Sequence, residues 1–492
     1  MTATRNLLAF DLGAESGRAV LGRFDGTRIQ LQDVHRFANV PAVTLDTMHW
    51  DVLRLYNEML TGIRKCAHEF GGADSIGVDT WGVDFALLGR GGTLLGNPRH
   101  YRDLHTESVM EQAFQKVSPD KLFARTGIQF MRFNSLFQLL ALQRDRSPLL
   151  DIAETLLFIP DLFHYYFTGV KANEYTNAST SQMLDPFARS WHAELLSDFS
   201  LPDRMLGSLI SPGTVLGPLR SRIAVDTGMP PVPVIAPATH DTGSAVAAVP
   251  AKGKSWAFIS SGTWSLMGAE IDQPLVNEEV RAANFTNEGG IGGTIRFLKN
   301  VAGLWLVQEC RRAWERDGNA FTYDDLAGLA MASKPFVSLV DPDDATFMLP
   351  ERMPDALAAY CRKTGQPAPA DPGAFVRCAL ESLALRYRWV LEKLEKLLGR
   401  RLDTIHIVGG GTQNRLLCQL TADACNRRVL AGPVEATALG NVLVQAIGLR
   451  LIGSLAEARE VVHRSFEVRE YLPVGVDAWA EPYQRFLNFL RP

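Results

Sequence analysis

The chain has 492 residues, 46% of them hydrophobic, enough to bury sizeable cores and too many for a disordered chain. Acidic residues outnumber basic ones by 54 to 50, a net charge of −4, which argues against a nucleic-acid or membrane-surface protein. Six cysteines without a C-x-x-C pair and ten histidines without an H-E-x-x-H argue for reduced thiols and against a zinc site.

The apolar run at residues 7–10 is too short for the core of a signal peptide, and no run approaches the roughly 20 residues of a membrane span. The chain therefore reads as cytoplasmic. Its opening is a strand (7–10), a glycine turn DLGAESG (11–17) and a second strand (18–24) closed by Asp25 and Gly26. A dinucleotide fold would place a helix after its first strand. Leu53, Leu55, Met59, Leu60 and Ile63 recur at helical spacing and predict a helix over 52–68. SIGVDTWGVDFALL (75–88) reads as strand, tight turn, strand. Residues 231–254, rich in Pro, Ala and Gly, contain THDTGS (239–244) and read as the crossing between two domains.

Beyond it, WAFISSGTWSLMGAEI (256–271) repeats the strand, glycine turn, strand pattern of the opening. A long amphipathic helix is expected over 375–398. DTIHIVGGG (403–411) is a strand running into three glycines, and helix, strand and helix follow. Alternating strands and helices imply α/β sheets, and one strand–turn–strand unit in each half implies a duplicated architecture.

Several of these turns can carry chemistry. In DLGAESGR the glycines let backbone N–H groups approach a phosphate, and Asp11 can hold a magnesium ion through water. Alone, the motif is more readily an ordinary hairpin. SSGT (260–263) is a similar turn, and the same alternative applies. The glycines at 409–411, between strand and helix, leave a flat surface for an adenosine. Asp241 can take a proton from an attacking hydroxyl, or it can cap the helix that TGSAVAAV implies. His240 is at most a substrate contact. Trp81, Gly82 and Asp84 can grip a sugar by stacking and hydrogen bonds, or be core and turn residues.

In this order the motifs resemble those of the FGGY carbohydrate kinases, members of the actin-like ATPase superfamily, along nearly the whole chain. DLGAESGR is similar to the first phosphate loop and SSGTWSLMG to the second. IVGGGTQN is similar to the adenosine motif, EATALGN to the connecting helix near the hinge, and YTNASTSQMLD (175–185) to a further family segment. SIGVDTWGVDFALL, ATHDTGSAV, FISSGTWSLMG, TNEGG, FLKNVAGLWLVQ and AGPVEATALGN are most similar to the rhamnulokinase branch.

The resemblance implies two actin-like, ribonuclease H-like α/β domains, each a mixed sheet flanked by helices, facing a deep cleft. Residues 1–243 would bind mainly sugar and 244–492 mainly ATP, with Asp11 and Asp241 on opposite sides of the crossing. The implied reaction is ATP-dependent phosphorylation of the 1-hydroxyl of L-rhamnulose with Mg²⁺, by a monomer or small homo-oligomer that binds neither nucleic acid nor membrane. Asp241 would be the proton acceptor, and Gly82, His240, Asp241, Thr242 and Asn300 would contact the ketose. Ala14, Glu15, Ser16, Gly17, Arg18, Thr263, Gln308 and Gly410 would contact ATP, and Asp11 would serve the metal. Glu15 puts a carboxylate where a small hydroxyl residue is frequent. Cys361 and Cys378 match a pair bridged in some relatives, whereas Thr421 stands where Cys425 would need a partner. The alternatives are a kinase for L-fuculose or xylulose, a non-catalytic actin-like sensor or filament former, and a chaperone-type ATPase.

Overall fold

The computed structural model describes residues 4–490. They divide into two compact units. The first takes the described residues through Pro250 together with Glu270–Phe297 and Ala436–Ser465. The second takes Ala251–Ala269, Leu298–Glu435 and the described residues from Phe466 onward.

The first unit is built on a six-stranded sheet. Its strands are β1 (Arg5–Leu12), β2 (Ser16–Phe24), β3 (Ile29–Ala38), β4 (Ser75–Thr80), β5 (Thr214–Pro218) and β6 (Pro233–Ala236), in the order β5-β6-β4-β1-β2-β3. β1 pairs antiparallel with β2 and parallel with β4, β6 runs parallel to β4, and β5 runs antiparallel to β6. β1 is apolar almost throughout because both of its faces are covered. Helix α1 (Val52–Glu69), capped by Asp51, buries Leu55, Met59 and Ile63 in the core that holds Phe10 and Val78. The other face carries Ala9, Gly77 and Gly22. A Cβ on Gly77 would stand 2.7 Å from Asn441, and one on Gly22 2.5 Å from Val442. Both partners lie on a helix from far along the chain, Ala436–Gly448.

The first border between the units, Pro250/Ala251, falls inside the expected crossing at 231–254, but most of that stretch belongs to the first unit. It supplies β6 and helix α2 (Asp241–Ala247), both parts of the first unit, and a division at 243/244 would cut α2. EATALGN, in the second half of the sequence, likewise lies in the first unit from Ala436 onward, with the unit border at Glu435/Ala436. The two strands expected in 75–88 both form, but they do not pair with each other; Phe85–Leu88 pairs with Thr155–Phe158.

The second unit repeats the succession. β7 (Trp256–Ser261) pairs antiparallel with β8 (Trp264–Ile271) and parallel with β9 (Thr404–Val408). β9 is parallel to β10 (Arg428–Ala431), which is antiparallel to β11 (Arg469–Tyr471). β8-β7-β9-β10-β11 therefore runs like β2-β1-β4-β6-β5, the duplication anticipated from the two turn motifs. α3 (Trp305–Arg316) and the long α4 (Pro372–Leu398) belong to this unit, and α5 (Ala436–Gly448) to the first. All six cysteines are free and buried. Among the described residues no helix is long and apolar enough to cross a membrane.

Candidate active site

Three carboxylates gather where neighbouring parallel strands of the first sheet end. Asp11 stands opposite Asp79 in the β1–β4 register, and Thr80 bridges to His240, the residue before Asp241. Asp11 and Asp241 thus lie in one unit, not on opposite sides of a domain crossing.

Asp11 receives Arg18 from the paired strand, with Nη2 at 2.7 Å and Nε at 3.0 Å, both on Oδ2. Asp79 is fully buried and accepts one hydrogen bond, from Asn441 Nδ2 of α5 at 2.6 Å, while its Oδ1 has no partner among the described residues. Burial, reinforced by the Asp11 charge, holds its carboxyl well above the usual range. Asp241 opens α2. Its Oδ1 accepts from Thr242 N at 2.6 Å and Thr242 Oγ1 at 3.3 Å, and 32% of its side chain stays exposed. Burial raises its pKa and Asp11 adds to the rise, against His240 and the Thr242 donors. The two readings of Asp241 are resolved in part: it lies in the first turn of the helix, the cap position belongs to His240, and its carboxylate accepts from Thr242 with His240 Nε2 3.3 Å away.

Two features fix α2. Gly440 of α5 lies against it so closely that a Cβ would stand 1.8 Å from Ser244 O, so only glycine allows this approach. Ahead of α2, buried Glu174 accepts hydrogen bonds from Thr239 N and Oγ1 and from Thr176 N and Oγ1, tying YTNAST to THDTGS. Asn177 Nδ2 adds a 3.3 Å bond to Trp81 O. A Cβ on Gly82 would stand 3.3 Å from His240 Nε2, so Gly82 and His240 are neighbours.

Asp84 does not face a ligand. It is fully buried and accepts from Trp50 Nε1, Trp81 Nε1, Gln138 Nε2 and Tyr101 N. Burial pushes it up to about 7 despite those four donors. The alternative of core and turn residues therefore holds for Asp84 and Trp81. A cavity of about 370 Å³ in the first unit, lined by residues such as Phe85, Arg99 and Gln138, is bordered by none of the expected site residues.

The remaining expected residues divide between the units. Ala14 and Glu15 lie in the turn between β1 and β2 and Ser16 and Gly17 open β2; the turn is closed by Gly13 N to Ser16 O and tied down by Asn39. Glu15 and Ser16 are exposed. Thr263, Asn300, Gln308 and Gly410 belong to the second unit. The turn that holds Thr263 is bound by the start of α3, with Trp305 N and Gly303 N donating to Thr263 O. Gln308 Oε1 is buried without a hydrogen-bond partner among the described residues. Of the three glycines, Gly411 packs on β7, where a Cβ would meet Ser261 Oγ at 2.0 Å, while Gly410 has open space around it.

The N-terminal domain of the FGGY family of carbohydrate kinases matches residues 6–248, and its C-terminal domain residues 257–449. The chain belongs to this family. Two relatives, each named "Rhamnulokinase", match nearly end to end. That of Bacteroides thetaiotaomicron is 45% identical over 99% of this chain and 100% of its own length, and that of Oceanobacillus iheyensis 39% identical over 96% and 99%. Among solved structures, gluconate kinase from Lactobacillus acidophilus superposes with a TM-score of 0.82 at 15% identity, covering 99% of this chain and 97% of that one. Plasmodium falciparum glycerol kinase with ADP gives 0.79 at 14% identity over the whole of both chains. These likenesses fix the FGGY fold of two mixed-sheet units flanked by helices. Membership makes the chain a carbohydrate kinase whose substrates are a sugar and ATP, and ATP chemistry implies a divalent metal.

Sequence reasoning did not single out Asp79, Asn441 or Glu174. Asp79 was within reach: like Asp11, it is a carboxylate inside an apolar strand, an expensive placement that marks a site. The others act through partners that no local pattern announces.

Proposed function

We propose that the chain transfers the γ-phosphoryl group of ATP to the 1-hydroxyl of L-rhamnulose, giving L-rhamnulose 1-phosphate and ADP. Asp241 carries the chemistry of this reading. It is a partly exposed carboxylate in the first turn of α2, close to the phosphate-loop turn and its Asp11. The sugar follows from the relatives named rhamnulokinase at 39–45% identity.

In the reaction, Asp241 accepts the proton of the attacking hydroxyl as the new P–O bond forms and the bond to the ADP oxygen breaks. Gly82, His240, Thr242 and Asn300 contact the ketose. Backbone N–H groups of residues 14–18 bind phosphate oxygens, which leaves the exposed Glu15 side chain outside the contact. Thr263, Gln308 and Gly410 bind the rest of ATP, and the partnerless Gln308 Oε1 supports this because a bound nucleotide would satisfy it. In this assignment sugar is bound mainly by residues 1–243 and ATP mainly by 244–492.

The metal is taken to be Mg²⁺. Among the described residues no three side chains form a metal cage. Mg²⁺ bound with ATP needs only one or two carboxylates beside phosphate oxygens and water, and the Asp11 carboxylate fits that demand. When bound, the ion neutralises charge on the phosphates. A cytoplasmic monomer or small homo-oligomer completes the reading.

The test is ATP consumption coupled to NADH oxidation, run over L-rhamnulose, L-fuculose and D-xylulose with L-rhamnose as control, and phosphorus NMR to locate the new ester. L-rhamnulose is expected to give the highest kcat/KM and a 1-phosphate. A higher value for another ketose would remove the sugar assignment and leave the kinase.

A further inference from the structure

Arg296 is fully buried, a rare place for a guanidinium. Its Nε donates to Gly289 O at 2.8 Å, Nη1 stands 3.1 Å from Glu288 Oε2, and Nη2 stands 3.2 Å from His240 Nδ1. On its far side the same imidazole brings Nε2 to 3.3 Å from Asp241 Oδ1. Glu288 Oε2 also lies 3.3 Å from Nδ1, so a donor and an acceptor compete for that nitrogen.

The competition has a physical answer. A guanidinium only donates, so a bond from Arg296 requires Nδ1 to be the bare nitrogen and puts the ring proton on Nε2, where it donates to Asp241. The opposite tautomer would aim Nδ1–H at Glu288, deprive Arg296 Nη2 of this acceptor and set a bare Nε2 against a carboxylate oxygen. Glu288 already has Arg296 Nη1 as its cation. Each arrangement sets one carboxylate oxygen against a bare ring nitrogen, Glu288 Oε2 at Nδ1 in the first and Asp241 Oδ1 at Nε2 in the second. The first keeps the buried Arg296 Nη2 bonded and leaves its mismatched carboxylate beside a guanidinium, whereas the second strands Nη2.

With that tautomer, Oδ1 of Asp241 collects Thr242 N, Thr242 Oγ1 and His240 Nε2, while Oδ2 takes no donor among the described residues. We propose that Arg296, backed by Glu288, is a positioning residue for phosphoryl transfer. It fixes His240 as an Nε2–H donor that holds Oδ1 of Asp241 and leaves Oδ2 to receive the proton of the attacking hydroxyl. The inference rests on the reading of Asp241 as the base.

The first test uses the unaltered full chain labelled with ¹⁵N at its ten histidines. Long-range proton–nitrogen spectra identify the protonated ring nitrogen, and the His240 signals are those absent from His240→Gln. A neutral ring protonated at Nε2 is expected; a proton on Nδ1, or on both nitrogens, overturns the proposal and leaves the base assignment untouched. Arg296→Met is then expected to move the proton to Nδ1 and to lower kcat by about 10²-fold, the scale of a small misplacement of a reacting group, with KM for ATP unchanged. Unaltered kcat, or a rise in KM for ATP alone, overturns the positioning role. Arg296→Lys retains a cation and a donor and is expected to recover part of the lost kcat. If Arg296→Met does not fold, the lysine variant and the wild-type spectra decide. Failure of the underlying reading would appear elsewhere, as near-normal turnover in Asp241→Asn.

Discussion

β1, β4 and β6 of the first unit and β7, β9 and β10 of the second occupy matching places in two sheets of the same strand succession. In the first, the strand ends lead to Asp11, Asp79 and, past a short loop, Asp241. In the second they lead to Ser261, to Gly409–Gly411 and to Ala431. The scaffold thus offers the same three positions twice, once filled with carboxylates and once with small residues. In the proposed reading, charge collects where a proton is taken and cations are held. Close backbone packing is found where, in the proposed reading, the adenosine lies. Duplication supplied the frame, and side-chain choice at the strand ends divided the labour.

The sharpest way to break this comparison is at Asp241. Asp241→Asn is expected to lower kcat by about 10²–10⁴-fold with nucleotide binding retained, measured by steady-state kinetics and calorimetry. Because the raised pKa belongs to a base that must be ionised, wild-type activity should be full above it and fall as pH drops through it. The acid limb of kcat/KM should therefore lie above the ordinary carboxylate value of 3.8. Near-normal turnover, or a limb at 3.8, would make Asp241 a structural residue.

Next in size is Gly440→Val, which forces a side chain into the backbone of α2. Destabilisation of about 3 kcal/mol or more is expected, read from urea unfolding. A wild-type midpoint would mean that α2 is not held by α5. On the small-residue side, Gly411→Ala should raise KM for ATP by about tenfold through displacement of the Ser261 contact, equivalent to an overpacking cost of about 1.4 kcal/mol. Ser261→Gly should restore it in the double variant; failure of that rescue would place the effect elsewhere. The smallest effect is expected from Glu15→Gln. An exposed carboxylate is screened, so KM for ATP should change by less than about twofold, and a larger drop would mean that Glu15 repels the nucleotide.

The sequence made the local signals legible because they are local. The turns at 11–17 and 260–263, the glycines at 409–411 and the helix over 52–68 rest on residues a few positions apart, and these elements form where the pattern put them. Asp241 was legible as base or cap, though not that its Oδ1 would be filled by its own neighbours. What stayed hidden depends on distant pairing. The partner of Asp79 is Asn441, 362 positions away, and the neighbours of His240 lie on a segment some fifty residues further on. The stretch 231–254 does contain the first border between the units, at Pro250/Ala251, but the structure of most of it stayed hidden for a related reason. Its Pro, Ala and Gly content resembles a linker, but the small residues are there because α2 must lie tightly against α5, and close packing of backbones selects the same composition as flexibility does.

Helix α5 also bears on how the protein is made. A ribosome delivers β1, β4 and α2 long before 436–448 exist, and for that whole interval the sheet face holding Gly22, Gly77 and Asp79 lacks this helix. The first unit is thus the first to be started and cannot be finished until most of the second has been translated. During synthesis its emerging apolar face is the segment most in need of a chaperone. A fragment cut at Pro250, however natural that border looks on a linear map, lacks the helix that closes it.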